Sequence, residues 1–129
     1  LKLPRYVKDE YLKKPGVPYT QSTSLEAVMP ELDVLYMTRV QRERFFNEED
    51  YLRLRDSYIL TPDKLETAKP DMSILHPLPR VNEISVAVDD DPRAAYFEQA
   101  QNGVYVGMAL IMTLLGLKDP KTGEVAFEC

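Results

Sequence analysis

Cysteine, histidine and glycine are scarce in this sequence, and tryptophan is missing. The 129 residues include one cysteine (Cys129), one histidine (His76) and five glycines. A single cysteine allows no internal disulfide. One cysteine and one histidine also cannot supply the ligands of an ordinary zinc site. We therefore expect no internal disulfide and no zinc site of the usual kind. Separately, we expect no cofactor and no metal.

Long apolar runs and an excess of positive charge are lacking as well. The longest apolar run, "MALIMTLLGL", is too short to cross a bilayer, and no signal-peptide pattern is read at the start. The net charge of −5 disfavours nucleic acid or an anionic membrane as a partner. With 44% hydrophobic residues the chain can form one packed core. We expect a soluble, cytoplasmic α/β domain.

Strand-like and helix-like segments alternate along the chain. The predicted strands are 17–22, 33–38, 57–60 and 72–77, and the predicted helices are 24–30, 61–69 and 91–116. The segment 33–38 is interpreted as a continuous apolar run, as expected of a strand that is buried on both faces. The segment 72–77, which contains the apolar run "MSIL", is again predicted as a buried strand. This alternation predicts an α/β fold with a parallel sheet and helices on both faces, doubly wound and Rossmann-like.

Capping and breaking residues define the predicted helices. Pro4 suits the first turn of an opening helix that stops at Pro15–Gly16, so the sequence starts in a loop or helix. Ser24 and Thr61 are placed as N-caps of the two short helices. The long C-terminal helix could run as one piece or as two parts joined near Asn102–Gly103.

Two prolines flank Leu78 directly after the strand 72–77. Neither Pro77 nor Pro79 can donate a backbone hydrogen bond, and each restricts the residue before it. The carbonyls of this stiff segment are therefore held in fixed directions, as a site for an amide or ammonium donor requires. An X–Pro bond here could also be cis. The alternative is a rigid turn that only ends the strand.

Polar side chains follow the strand 33–38. Ligands bind beyond the carboxyl ends of strands in such sheets, and Arg39 and Gln41 lie at that position. An arginine offers a rigid fork for a carboxylate or phosphate, and a glutamine offers two donors and an acceptor. The alternative is a solvated surface arginine, with Arg44 on an exposed charged face.

Three motifs resemble the aspartate-binding half of the aspartate carbamoyltransferase catalytic chain. They are "DVLYMTRVQRERF", "HPLPRVNEI" and "DPRAAYFEQAQNG", in family order and spacing, within a likeness that runs from about residue 4 to 117. Ornithine carbamoyltransferases have a cysteine at the position of Pro77 and lack the Thr-Arg-Val-Gln run. The resemblance therefore implies aspartate as the acceptor.

The resemblance implies roles for individual residues. Arg39 matches the arginine that grips a carboxylate of aspartate, and Gln41 matches the glutamine at the aspartate backbone end. The carbonyls of Pro77 and Leu78 match those that accept from the carbamoyl amide and the attacking amine. The Leu78–Pro79 bond matches a cis peptide of the family.

Further matches and departures concern the surroundings of the site. Arg44 matches an arginine that bridges to the other domain on closure, and 45–56 matches a mobile loop. Asn82 replaces an aspartate found in some members, which weakens a charge-dependent contact of that loop. Gly107 replaces the usual arginine, which removes a cation near the site. His76 is interpreted as a hydrogen-bonded structural residue and not as an acid or base.

The resemblance also implies an incomplete enzyme. Residues 1–129 match the aspartate-binding domain, apparently without its first strand, while the N-terminal carbamoyl-phosphate domain is absent. We expect the chain alone to be inactive. The whole enzyme would make N-carbamoyl-L-aspartate in de novo pyrimidine biosynthesis as a cytoplasmic homotrimer, with regulatory or fused pyrimidine-pathway subunits as further partners. The alternative is a non-catalytic interaction or scaffolding module of the same fold.

Overall fold

The computed structural model describes residues 3–39, 47–49, 58–118 and 121–123. Its first element, α1, is a turn of α-helix over Arg5–Val7 that continues as a π-helical segment over Lys8–Lys13. None of these residues is buried. The helix expected after Pro4 is therefore present, on the surface.

The centre of the fold is a parallel sheet. Strand β1 (Val34–Tyr36) pairs in parallel with β2 (Ser73–Leu75), and Leu35 lies opposite Ile74. On its other side Ile74 forms a parallel bridge with Ala94, just before the long helix. The predicted α/β fold with a parallel sheet is confirmed, and its described part contains two strands.

The exposure of β1 differs from the expectation for a strand buried on both faces. Leu35 is buried, but Val34 and Tyr36 are 54% and 53% exposed. Successive side chains of a strand point to opposite faces, and one face of β1 meets the described core. The apolar run at this position therefore indicated a strand correctly but not its burial.

Two predicted strands are not formed as expected. Residues 17–22 contain no strand, and Pro18 removes a donor that a ladder would need. Of the predicted strand 57–60, the described residues retain one bridge, in which Leu60 pairs in parallel with Ile84. Both segments are short, so propensity alone was a weak guide.

The predicted helix 24–30 is reduced to turns and a 3₁₀ helix over Met29–Glu31. Ser24 does act as a cap, because its Oγ accepts a hydrogen bond from the Ala27 N–H at 3.2 Å. Pro30 prevents the segment from continuing as an α-helix.

The predicted helix 61–69 is likewise a 3₁₀ helix, over Pro62–Leu65. Thr61 precedes it in an extended conformation, but its side chain makes no capping hydrogen bond there. The expected Thr61 cap is therefore wrong. Pro70 limits the segment at its other end, because the residue before a proline disfavours helical geometry.

The hydrophobic core lies between the sheet and the segments that cross it. Ile74, at the centre of β2, is fully buried. The ten buried apolar residues are Met29, Leu35, Met37, Leu60, Leu65, Met72, Ile74, Ile84, Val88 and Tyr96. Both strands and the start of the long helix contribute to this cluster, so the core fixes their relative positions.

The long helix, α2, runs without interruption over Tyr96–Leu114. The expectation of one long helix is confirmed, and the alternative of two parts joined near Asn102–Gly103 is wrong. Tyr96 is its buried residue, whereas most apolar side chains farther along it are exposed. The helix is therefore attached to the core at its first turn.

Candidate functional site

The segment after β2 forms a tight turn over residues 76–80. The Leu78–Pro79 peptide is cis, as the resemblance implied, and Leu78 has a φ of 44°. Pro77 is exposed and Leu78 is half-buried. The backbone around the two prolines is thus fixed in an uncommon conformation at the carboxyl end of β2.

His76 anchors the start of this turn. It is 1% exposed, and its backbone N–H donates to Gln99 Oε1 on α2 at 2.8 Å. Its ring lies between the Leu78 N–H, 2.8 Å from Nδ1, and Glu83 Oε1, 2.8 Å from Nε2. The interpretation of His76 as a hydrogen-bonded structural residue agrees with this geometry.

Glu83 is a buried carboxylate that closes the turn. It is 3% exposed, and its Oε2 accepts the backbone N–H groups of Val81 and Asn82, each at 3.0 Å. Burial acts to raise the pKa of Glu83, but hydrogen bonds from surrounding backbone N–H groups and from His76 outweigh it and lower the pKa. Glu83 is therefore a satisfied anion.

A second anchor is the cluster formed by Arg80, Asp89 and Tyr96. Both oxygens of Asp89 accept from the Arg80 guanidinium, and the Tyr96 hydroxyl also donates to Asp89. Arg80, followed by Tyr96, lowers the pKa of Asp89 to about 2. Burial and Asp89 raise the pKa of Tyr96 to about 12. The cluster ties the end of the turn to the first residue of α2.

Gln99 links the ends of both strands to α2. While its Oε1 accepts from His76, its Nε2 donates to the Tyr36 hydroxyl at 3.1 Å. It also lines a mainly apolar groove beside α2 together with Leu75 and Val106. No role was predicted from the sequence for Gln99, Glu83 or Asp89, because only the tertiary fold brings them to the turn.

Arg39 lies at the same edge of the sheet as the turn. It stands two residues after Met37, whose N–H donates to the Leu75 carbonyl at 2.8 Å and continues the parallel pairing. Arg39 is exposed. Because parallel strands end at one edge of a sheet, β1 delivers Arg39 and β2 delivers the turn to that edge.

Of the other residues singled out in the sequence, some lie outside the described part of the chain, and Asn82 and Gly107 lie within it. Gln41, Arg44 and most of the loop 45–56 are outside the described residues. Asn82 contributes its backbone N–H to Glu83. At Gly107 an added Cβ would meet no atom within 4 Å, so the helix has room for a side chain there.

The described residues contain no cluster suited to a metal ion and no helix suited to crossing a membrane. In those parts of the chain, histidine, cysteine, aspartate and glutamate do not form a group of three or more able to hold a metal ion. Among the described helices, none has the length and apolar character needed to span a bilayer.

Comparison with known proteins identifies the family of the chain. Residues 4–114 match the model of the aspartate/ornithine carbamoyltransferase Asp/Orn binding domain. The chain belongs to this carbamoyltransferase family. The resemblance inferred from the three motifs is therefore confirmed.

The relatives are aspartate carbamoyltransferase catalytic subunits. The protein of that name from Lachnoclostridium phytofermentans is 63% identical over 117 residues, which cover 91% of this chain and 38% of the relative. The catalytic subunit of M. jannaschii aspartate transcarbamoylase superposes with a TM-score of 0.76 at 38% identity, covering 86% of this chain and 36% of that one. The chain thus spans well under half the length of these carbamoyltransferases.

A third relative carries ligands in its structure. Aspartate transcarbamoylase from Trypanosoma cruzi, in complex with carbamoyl phosphate and aspartate, superposes with a TM-score of 0.73 at 35% identity. The match covers 84% of this chain and 36% of the Trypanosoma chain. The Rossmann-like fold is therefore shared with carbamoyltransferases from distant organisms.

Proposed function

We propose that residues 1–129 are the aspartate-binding domain of an aspartate carbamoyltransferase. The complete enzyme, meaning this domain joined to an N-terminal carbamoyl-phosphate domain, would convert carbamoyl phosphate and L-aspartate to N-carbamoyl-L-aspartate and phosphate. The observation that carries the proposal is the anchored turn 76–80, placed at the same sheet edge as Arg39. High identity to aspartate carbamoyltransferase catalytic subunits supports it.

The chemistry requires orientation more than side-chain bases. The aspartate amine attacks the carbamoyl carbon, a C–N bond forms, and the C–O bond to phosphate breaks. The amine loses one proton, which the departing phosphate can take up. The carbonyls of Pro77 and Leu78 would accept hydrogen bonds from the attacking amine and the carbamoyl amide. Arg39 would pair with a carboxylate of aspartate, and Gln41 would contact its backbone end. Such positioning can supply much of a rate enhancement.

Assembly is part of the same proposal. Arg44 would bridge to the N-terminal domain when the site closes, and complete chains would form a cytoplasmic homotrimer. The reaction would serve pyrimidine biosynthesis, with regulatory or fused pathway subunits as further partners. No cofactor or metal is needed for the transfer, because phosphate is already an adequate leaving group.

A non-catalytic scaffolding module is the second candidate function. It is favoured by Gly107, which stands where the family usually has an arginine. A scaffold would keep the buried anchors of the turn but would not need Arg39.

A reconstitution assay separates the two functions. The chain alone should not form carbamoyl aspartate, because it spans 38% of a catalytic subunit. Mixing or fusing it with a separately made N-terminal domain should restore the reaction. Persistent inactivity of a folded, reconstituted enzyme would support the scaffold, and turnover by the isolated chain would contradict the domain assignment.

A further inference from the structure

The contacts of the His76 ring assign its neutral tautomer. The Leu78 N–H can only donate, so Nδ1, 2.8 Å away, must accept. In a neutral imidazole the other nitrogen then carries the proton. Nε2 therefore donates to Glu83 Oε1 at 2.8 Å. A second proton on Nδ1 would place two donors against each other.

The Leu78 N–H is the backbone donor on which this turn depends. Pro77 and Pro79 have no N–H, so Leu78 supplies the one backbone donor of residues 77–79. Its partner is the His76 ring and not another backbone group. The ring thus holds the middle of the turn, while Gln99 holds its beginning.

Fixing this N–H also fixes a carbonyl. The Pro77 carbonyl and the Leu78 N–H belong to one planar peptide unit. In a trans peptide the two groups point in opposite directions, and the cis bond lies one residue later. With the N–H held on the buried ring, the Pro77 carbonyl is directed away from the core.

Glu83 fixes the ring in turn. Its carboxylate accepts a hydrogen bond from the Nε2–H group and is itself held by the N–H groups of Val81 and Asn82. Both oxygens are therefore occupied in a buried site. A ring flip of His76 would remove the acceptor of Leu78 and the donor to Glu83 together.

We propose that His76 is a positioning residue. As the neutral Nε2-protonated tautomer held by Glu83, it directs the Pro77 carbonyl toward the nitrogens of the reactants, which are the attacking amine and the carbamoyl amide. This inference rests on the proposed function, because that function gives the carbonyl its role. His76 does not touch the substrate. It acts through the Leu78 peptide.

A pair of substitutions in the complete enzyme separates the two ring contacts. In His76→Asn the side-chain oxygen lies near the position of Nδ1 and can accept the N–H two residues on, as in an Asx-turn. In His76→Gln the amide reaches toward Glu83 but leaves the Leu78 N–H without its acceptor. We expect His76→Gln to lower kcat by about 10²-fold with little change in the KM for aspartate, and His76→Asn to stay within about tenfold of the unaltered enzyme.

A control distinguishes positioning from loss of stability. Met72 is buried just before the opposite end of β2. Met72→Ala should destabilise the fold without altering the turn, so its kcat should remain near that of the unaltered enzyme below the unfolding temperature. Equal kcat values for His76→Gln and Met72→Ala in folded protein would overturn the positioning role.

A spectroscopic readout tests the geometry even if a variant does not fold. In the unaltered complete enzyme with ¹⁵N-labelled histidine, His76 should give the signals of the Nε2-protonated tautomer. An Nδ1-protonated ring would overturn the inference. Lack of aspartate carbamoylation by the folded, unaltered enzyme would instead overturn the proposed function, and with it the role of the turn.

Discussion

Arg39 is the described side chain on which aspartate recognition depends in the proposed function. Arg39→Ala in the complete enzyme should weaken the use of aspartate by on the order of 2–5 kcal/mol, because a substrate carboxylate would be left unpaired in a closed site. Carbamoyl phosphate binding should barely change. Steady-state kinetics with each substrate varied would measure both effects.

A matched control for Arg39 is available on α1. Arg5 is an exposed arginine paired with Asp9 at i,i+4 spacing. Arg5→Ala removes the same charge far along the chain from the sheet edge and should leave both substrates unaffected. An equal loss of affinity for aspartate and carbamoyl phosphate in Arg39→Ala would show that its assignment is wrong.

The Asp89 carboxylate predicts how stability depends on pH. Its pKa is lowered in the folded chain from 3.8 to about 2 by Arg80 and Tyr96. A carboxylate whose pKa is lower in the folded state stabilises the fold. This stabilisation is fully present above the unfolded-state pKa and is lost as the pH falls through the folded-state pKa. Stability should therefore decline between about pH 4 and pH 2.

Replacing single carboxylates tests this pH dependence. Asp89→Asn should flatten the decline measured by urea unfolding at several pH values, because it removes the titrating group of the Arg80 pair. The control is Asp90→Asn, which changes the adjacent, exposed carboxylate. An unaltered acid decline in Asp89→Asn would exclude this pair as its source.

At the residue scale the sequence predicted the stiff turn but not what holds it. The prolines at 77 and 79 act locally, so the fixed backbone and the option of a cis bond followed from covalent geometry. Glu83 and Gln99 are distant partners of His76, and charge or spacing along the chain does not reveal which buried groups will meet. The roles of Arg39, Pro77 and Leu78 came from the resemblance and stay predictions.

At the element scale, apolar runs without a proline inside them were the dependable patterns. They predicted β1, β2 and α2, although part of β1 and most of α2 are exposed in the described chain. The strand predicted at 17–22 did not form, since Pro18 removes a donor that pairing would need. Of the helix expected at 61–69, a 3₁₀ helix over Pro62–Leu65 is formed, and Pro70 disfavours helical geometry at the end of the segment.

The glycines of α2 provide a prediction at this scale. Gly107 is inside the helix with open space around its Cα, so Gly107→Ala should raise the free energy of unfolding by about 1 kcal/mol. Gly116 follows the helix with a φ of +62°, where its N–H and that of Leu117 close the last turn. Gly116→Ala should therefore lower the free energy of unfolding.

Urea unfolding of the two variants would check these opposite signs. Both variants add one methyl group, Gly107→Ala inside the helix and Gly116→Ala just beyond its end. The contribution of added apolar surface to the free energy of unfolding should therefore be similar in the two. If Gly107→Ala destabilised the chain, the described helix would need a close neighbour at that position.

At the scale of the whole molecule, the surface of α2 is the dominant feature. Large apolar side chains stay exposed along much of its length: Val104, Tyr105, Val106, Met108, Leu110, Ile111 and Leu114. They cover more than one face, whereas a helix on the surface of a monomer needs one apolar stripe. Such a patch favours association.

We therefore expect the isolated chain to self-associate. Under the proposed function, the complete enzyme should sediment as a homotrimer. Sedimentation velocity over a range of concentrations would measure both, with binding of an apolar dye as a second readout. The paired change Leu110→Lys and Leu114→Lys, one turn apart on the helix, should reduce association of the isolated chain. A compact monomer without dye binding would contradict the expectation.

The parallel pairing of β1 with β2 also has a consequence for biosynthesis. About 40 residues separate the partners Val34 and Ser73, which at roughly 5–20 residues per second means a delay of about 2–8 s between their synthesis. During that interval Leu35 has no β2 to pack against. A nascent chain halted before residue 73 should thus be more sensitive to protease, and more dependent on chaperones, than one halted beyond α2.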